Sequence, residues 1–395
     1  MTSADPDIVY LLCSDASSNG FGAIYLSEDN GSSWTHTSAG SNLNLLGWAA
    51  GGNDYGGQGW FTLSLAVSPT DPYHIHVGGV NIWESFDGGE TWDLNAHWLG
   101  WGGADYVHAD IHSLAYNPVD QVMYTSNDGG IYQLQPGGDE WLDISDGIVI
   151  YQIYRLGLYE KDDNLAIASP QDNGTTLFSD GEFTELLLAE ACDNFIDYND
   201  PEIMYYGGYG TGLVRSMNGG NSYTVIHPPG ANQRFNPPYI INPVNSSSIY
   251  SAFNDVYKSS NRGDDWDIIS GGVAHQYEFN CLEIAPSDTN YLYVADYRSL
   301  WVTKDEGENW TNITGNLPVA SLNINDIAIS GTDPENAWVV FSGFITGEKV
   351  YMTSDAGQTW ENISMNLPNM PVNCATHDKD NKDGIYVGTD IGVFY

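Results

Sequence analysis

Thr353-Ser-Asp355-Ala-Gly357-Gln-Thr359-Trp360 and Thr303-Lys-Asp305-Glu-Gly307-Glu-Asn309-Trp310 follow one outline: hydroxyl residue, carboxylate two on, glycine two further, tryptophan last. The same outline recurs in Ser27-Glu-Asp29-Asn-Gly31-Ser-Ser33-Trp34 and Ser85-Phe-Asp87-Gly-Gly89-Glu-Thr91-Trp92. Asparagine replaces the carboxylate in Ser216-Met-Asn218-Gly-Gly220-Asn-Ser222-Tyr223 and Ser259-Ser-Asn261-Arg-Gly263-Asp-Asp265-Trp266. Weaker copies end at Trp141 and Phe183. Such an octet is a hairpin turn. Asp29, Asp87, Asn218, Asn261, Asp305 and Asp355 are expected to accept hydrogen bonds from backbone N–H groups two or three residues on, with glycine at positive φ. The hydroxyl ties the turn to its strand and the aromatic re-enters the core. A group repeated in every unit serves the unit, so these aspartates are expected to be structural rather than catalytic or calcium-binding.

Outward from each turn, four short strands recur. In the seventh unit they are 278–284, 291–295, 299–303 and 309–313; in the eighth, 325–330, 337–341, 349–353 and 359–363. Short runs rich in Val, Ile and Tyr, bounded by Gly, Pro and Asp, read as antiparallel sheet. The turns at 218, 261, 305 and 355 are 43 to 50 residues apart. Four strands at that period mark an all-β, large β-propeller of four-stranded antiparallel blades, about eight to ten of them, filling 1–395 as a single domain. Residues 8–34 supply three strands of a partial first blade, and the last blade stops at 395, so both ends read as incomplete and the chain as part of a longer polypeptide.

Lys and Arg number 11 against 52 Asp and Glu, a net charge of −41. This excludes nucleic acid as a partner and disfavours anionic membranes. No stretch approaches the roughly 20 apolar residues of a membrane span, so no membrane insertion is expected. The opening Met1-Thr-Ser-Ala-Asp-Pro-Asp7 lacks the basic and apolar regions of a signal peptide. A carboxylate-rich surface with six lysines suits a saline or calcium-containing extracellular setting. Cys13, Cys192, Cys281 and Cys374 have no CxxC spacing, which argues against zinc, and buried free thiols are expected.

The octet resembles the Asp-box, or BNR repeat, of sialidases, xyloglucan-degrading hydrolases, photosystem assembly factors and the sortilin ectodomain. Between the boxes, Val107-His-Ala-Asp-Ile-His112, Asn127-Asp-Gly-Gly130 and Gln171-Asp-Asn-Gly-Thr175 resemble secreted bacterial proteins with sortilin-like propellers. So do Pro237-Pro-Tyr-Ile-Ile-Asn-Pro243 and Val256-Tyr-Lys-Ser-Ser260. Many of those proteins occur in Bacteroidetes with a type IX secretion sorting domain. The resemblance implies a propeller similar to the ten-bladed sortilin one, with nine blades fitting as well, and an extracellular or bacterial cell-surface location, but the box itself specifies blades and not activity. The five arginines include no Arg-Ile-Pro segment, so sialidase activity is not expected.

His108-x-Asp110-x-His112 carries the most suggestive chemistry. At strand period all three side chains would share a face, an arrangement able to hold a divalent cation such as calcium at the channel mouth. Asp128, Tyr154, Arg155, Gln171 and Asp172 are candidates for a polar rim around it. The Gly-rich segment 47–60, with Trp48 and Trp60, and the nearby Trp101 offer aromatic rings to a sugar face. Against each stands a bland alternative: a hydrogen-bonded loop, a polar turn, a capping loop that fills a gap. The combined expectation is a non-catalytic binding or adhesion module for glycans or proteins. A glycoside hydrolase or lyase, and a structural segment of a surface appendage, are the alternatives.

Overall fold

The structure, a computed structural model, describes residues 2–395 apart from 136–139, 149, 189–192, 209, 233, 382 and 383. The described residues form nine sheets, one 3-10 turn at Thr37–Gly40 and no α-helix. In chain order the sheets occupy 9–36, 64–106, 113–143, 153–187, 195–225, 239–268, 281–312, 324–362 and 372–394, here blades 1 to 9. Six blades have four strands, blades 1 and 9 have three, and blade 2 has five. In each sheet, strands that are consecutive in sequence are hydrogen-bonded neighbours. All pair antiparallel except Asp105–Tyr106, which joins Asp93–His97 in parallel. The chain is therefore an all-β succession of propeller-type blades. They fall into two compact units, Met1–Ile150 with blades 1 to 3 and Tyr151–Tyr395 with blades 4 to 9. No helix among the described residues is long and apolar enough to cross a membrane.

The octets form the turn between the third and fourth strands of blades 5 to 8, and the matching turns of blades 1 and 2. The opening hydroxyl donates to Oδ1 of the Asp or Asn at 2.7–3.0 Å and accepts from the glycine N–H at 2.7–2.9 Å in all six clear copies. The same Oδ1 then accepts the N–H four residues on, and at Asp87 also that of Glu90 three residues on, so the reach extends one residue beyond the two or three expected from sequence. These bonds hold the carboxyls of Asp29, Asp87, Asp305 and Asp355 below the usual carboxylate range. The copy ending at Trp141 has its turn, 136–139, outside the described residues. The copy ending at Phe183 is no box. Asp180 and Gly181 there make a two-residue hairpin with φ of 52° and 89°, the type I′ requirement.

The last tryptophan of the octet fastens blades 6, 7 and 8 each to the one before. Trp266, Trp310 and Trp360 donate Nε1–H to the carbonyls of Ile226, Ile269 and Ile313 at 2.7 Å. Those isoleucines close the preceding blades, and their side chains sit where a Cβ on Gly263, Gly307 or Gly357 would fall. Trp92 differs, because its Nε1–H returns to Gly89 in its own turn.

Buried apolar clusters lie between consecutive blades. Ala337–Phe341 shows how one strand feeds two of them: Ala337, Val339 and Phe341 pack towards blade 7, while Trp338 and Val340 pack towards blade 9. Alternation thus survives in the packing although the strand reads as a continuous apolar run. First strands of neighbouring blades lie side by side, as with Ser64–Val67 and Ser113–Tyr116, or Cys281–Ile284, Ile324–Ile329 and Val372–His377. Lys379, after the first strand of blade 9, pairs with Glu160, after the first strand of blade 4. Of the cysteines, Cys281 is buried as expected, Cys13 half-buried and Cys374 exposed, all three free; Cys192 lies outside the described residues.

At Gly357 an added Cβ would stand 2.4 Å from Ile313 Cδ1 on a backbone with φ of 82°. Gly357→Ala is expected to destabilise the protein by roughly 2 kcal/mol or more, and Trp360→Phe by about 1 kcal/mol for the lost bond. Urea denaturation measures both, and Gly357→Ala paired with Ile313→Val should recover part of the loss.

Candidate functional site

In the first unit, the connection between blades 1 and 2 is built on two polar side chains. Asn44 accepts from Phe21 N–H and donates to the Gly56 carbonyl, while Asp54 Oδ2 accepts from the N–H groups of Trp48 and Ala49. This framing holds aromatic rings outward instead of into a gap. Trp60 is 71% exposed and Trp101 63% exposed, and Trp48 is also exposed. Two groups form. Trp60 leans on Phe61, whose ring meets His112 edge-on at 4.9 Å. Trp101 stacks on His97 at 5.9 Å, and the His97 and Trp98 side chains both bond the Trp48 carbonyl.

The His108–Asp110–His112 segment adjoins the first group but is not a strand. Asp110 has a φ of 67°, which breaks the alternation that would set the three side chains on one face. Ile111 is fully buried, its N–H bonded to the Gly79 carbonyl, and the His112 N–H bonds Ser126. Asp110 Oδ1 accepts from Gln58 Nε2 at 2.9 Å, His112 Nε2 meets Asp128 Oδ1 at 2.5 Å, and His108 packs over Gly129. The triplet's donor atoms turn to separate partners and do not gather as one ligand set. Gln58 and Phe61, which sequence reading missed, connect the triplet to the aromatic loop.

In the second unit, Gln171, Asp172 and Asn173 form the loop between Leu165–Pro170 and Thr175–Ser179, as the polar-turn reading expects, and Tyr154 donates to Gln171 Oε1 at 2.8 Å. Arg155 turns elsewhere. A register shift between Ile153 and Arg155 aims the guanidinium inward, where it pairs with Asp193. Matching shifts precede Asp326 and Cys374 in the first strands of blades 8 and 9. Arg155, Asp193, Cys281, Glu283 and Asp326 thus share one electrostatic neighbourhood. Asp326 is half-buried, with protein packed closely around it. Burial pushes the Asp193 and Glu283 carboxyls up and raises Asp326 to about 6, despite the backbone N–H groups of Ala375 and Ile327 that bond it. Asp193 in turn raises the Arg155 guanidinium, which stays charged.

A carboxyl whose folded value lies above its unfolded one stabilises at low pH, and that contribution is lost as pH rises through about 6. Asp326→Asn removes the charge but keeps only one of two acceptors, because the Ile327 and Ala375 N–H groups bond different carboxylate oxygens. Relative to wild type it is expected to fare better at pH 7 than at pH 4 by about 1–2 kcal/mol, by urea denaturation at both.

No family model matches the chain, and no curated protein matches it. Among solved structures, it is similar to the GH74 enzyme of Niastella koreensis, at 17% identity over 98% of this chain and 67% of that one, with a TM-score of 0.27. The GH74 xyloglucanase from Xanthomonas campestris matches at 15% identity over 98% and 69%, with a TM-score of 0.28. YCF48 from Cyanidioschyzon merolae matches at 13% identity over 84% and 94%, with a TM-score of 0.44.

Proposed function

We propose that the protein is an extracellular, non-catalytic binding module that recognises neutral glycans through the aromatic surface of its first unit. The observation that carries this reading is the placement of Trp60 and Phe61, both exposed, beside the His112–Asp128 pair. A pyranose ring presents C–H groups to stack on such rings and hydroxyls to bond the polar groups beside them. The His97 group, with Trp48 and Trp101, supplies a second exposed platform on the same unit. A net charge of −41 repels anionic sugars and selects for neutral ones. The same charge keeps the protein hydrated in salt, which suits the extracellular or cell-surface location that the sortilin-like resemblance implies.

Affinity electrophoresis through gels containing neutral polysaccharides tests the proposal. Wild type is retarded, with no release of reducing sugar, and Trp60→Ala binds about tenfold more weakly, the equivalent of about 1.4 kcal/mol. Reducing sugar released in step with binding shows a hydrolase instead. Migration unaffected by every neutral polysaccharide rules out the glycan reading.

A further inference from the structure

The first unit holds another set of ionisable side chains, apart from the aromatic surface. His74 precedes and His76 lies within the strand Ile75–Gly78, and Glu84 lies in the next strand, Ile82–Ser85. The hairpin register sets His76 directly opposite Glu84. Two residues apart, His74 and His76 fall on the same face of the sheet, with ring centroids 4.7 Å apart. Nε2 of each histidine stands 3.4 Å from the same atom, Glu84 Oε2, and one donor atom from each of the three residues lies within 4.8 Å of the others.

His76 is fully buried, and its Nε2 makes no hydrogen bond of acceptable geometry among the described residues. A buried ring nitrogen left so is destabilising by roughly 1–3 kcal/mol unless something fills the gap. Its other nitrogen, Nδ1, faces Tyr116 Oη at 3.4 Å across the boundary with blade 3. That outer contact fixes the ring and leaves Nε2 aimed at Glu84, the way metal-bound histidines are commonly held. His74 is steadied from outside by Phe86, stacked at 4.2 Å, and its partial exposure gives access from solvent.

We propose that His74, His76 and Glu84 form a binding site for a divalent transition-metal cation of the zinc type. Bonds of about 2.0–2.1 Å in a tetrahedral set place ligand atoms roughly 3.3–3.4 Å apart, the spacing found on both His–Glu edges. Two imidazoles select against calcium, which takes six to eight oxygens. Three protein donors leave one position for water or an external ligand. Glu84 also lines a cavity of about 590 Å³ together with Asp93, Asp105 and Glu140, whose carboxylates concentrate cations beside the site.

The test uses the full chain, stripped with chelator and titrated with Co²⁺ in excess Ca²⁺, then with Zn²⁺. One Co²⁺ per chain is expected, with the intense visible bands of four-coordinate cobalt, displaced by Zn²⁺ and not by Ca²⁺. Glu84→Gln and His74→Asn, with folding checked by circular dichroism, should each weaken binding at least tenfold. A pale six-coordinate spectrum, displacement by Ca²⁺, or cobalt binding unchanged in either folded variant overturns the proposal. Should a variant fail to fold, the wild-type spectrum and its displacement by Zn²⁺ decide alone.

Discussion

The second unit depends on a carbonyl being handed from blades 5, 6 and 7 to the tryptophan of the next. The octet makes this transfer workable. Its hydroxyl and carboxylate take up N–H groups of the turn, and the Ala356 N–H bonds the Glu335 carbonyl of the same blade, so these groups draw on no neighbouring blade. Its glycine leaves a hollow that admits the neighbouring isoleucine, and its tryptophan reaches over that isoleucine to the carbonyl behind it. Polar satisfaction, shape and direction are settled by one eight-residue element, and the apolar clusters between blades then pack against a spacing already fixed.

This explains how much of the fold could be read from sequence. The strands Ala337–Phe341 and Leu292–Ala295 fell where their Val, Ile and Tyr content placed them, because each is bounded by residues that terminate sheet. The turns were legible for the same reason. At Asp355 the carboxylate also spans one residue further than expected, to Thr359. The Phe183 hairpin was assigned to the wrong turn class although Asp180-Gly181 is itself a signal for type I′.

Side-chain convergence was legible only where it followed strand period. His108–Asp110–His112 looked periodic, but the left-handed backbone at Asp110 removes the period. Conversely, His74, His76 and Glu84 stand in open view in the sequence. Their meeting needs the pairing across Gly79-Val80-Asn81, which counting back from the turn would have given. The inward aim of Arg155 and Asp326 had no signal at all, because a one-residue irregularity reverses which face a side chain occupies.

The polarity of the octet's inner pair is not uniform. Asp305 accepts from the Asn309 amide, whereas Asn261 donates to the Asp265 carboxylate, so the two copies carry the same bond with donor and acceptor exchanged. A single change that leaves two carboxylates sets like charges against each other, whereas one that leaves two amides can keep the bond, since an amide both donates and accepts. Divergence between copies can therefore pass through an amide pair, or through a hydroxyl that serves in either sense. Ser222 beside Asn218 is such a residue, accepting from the amide where Ser33 donates to Asp29. The repeat thus holds its own intermediates, and six unequal copies each keep this inner bond.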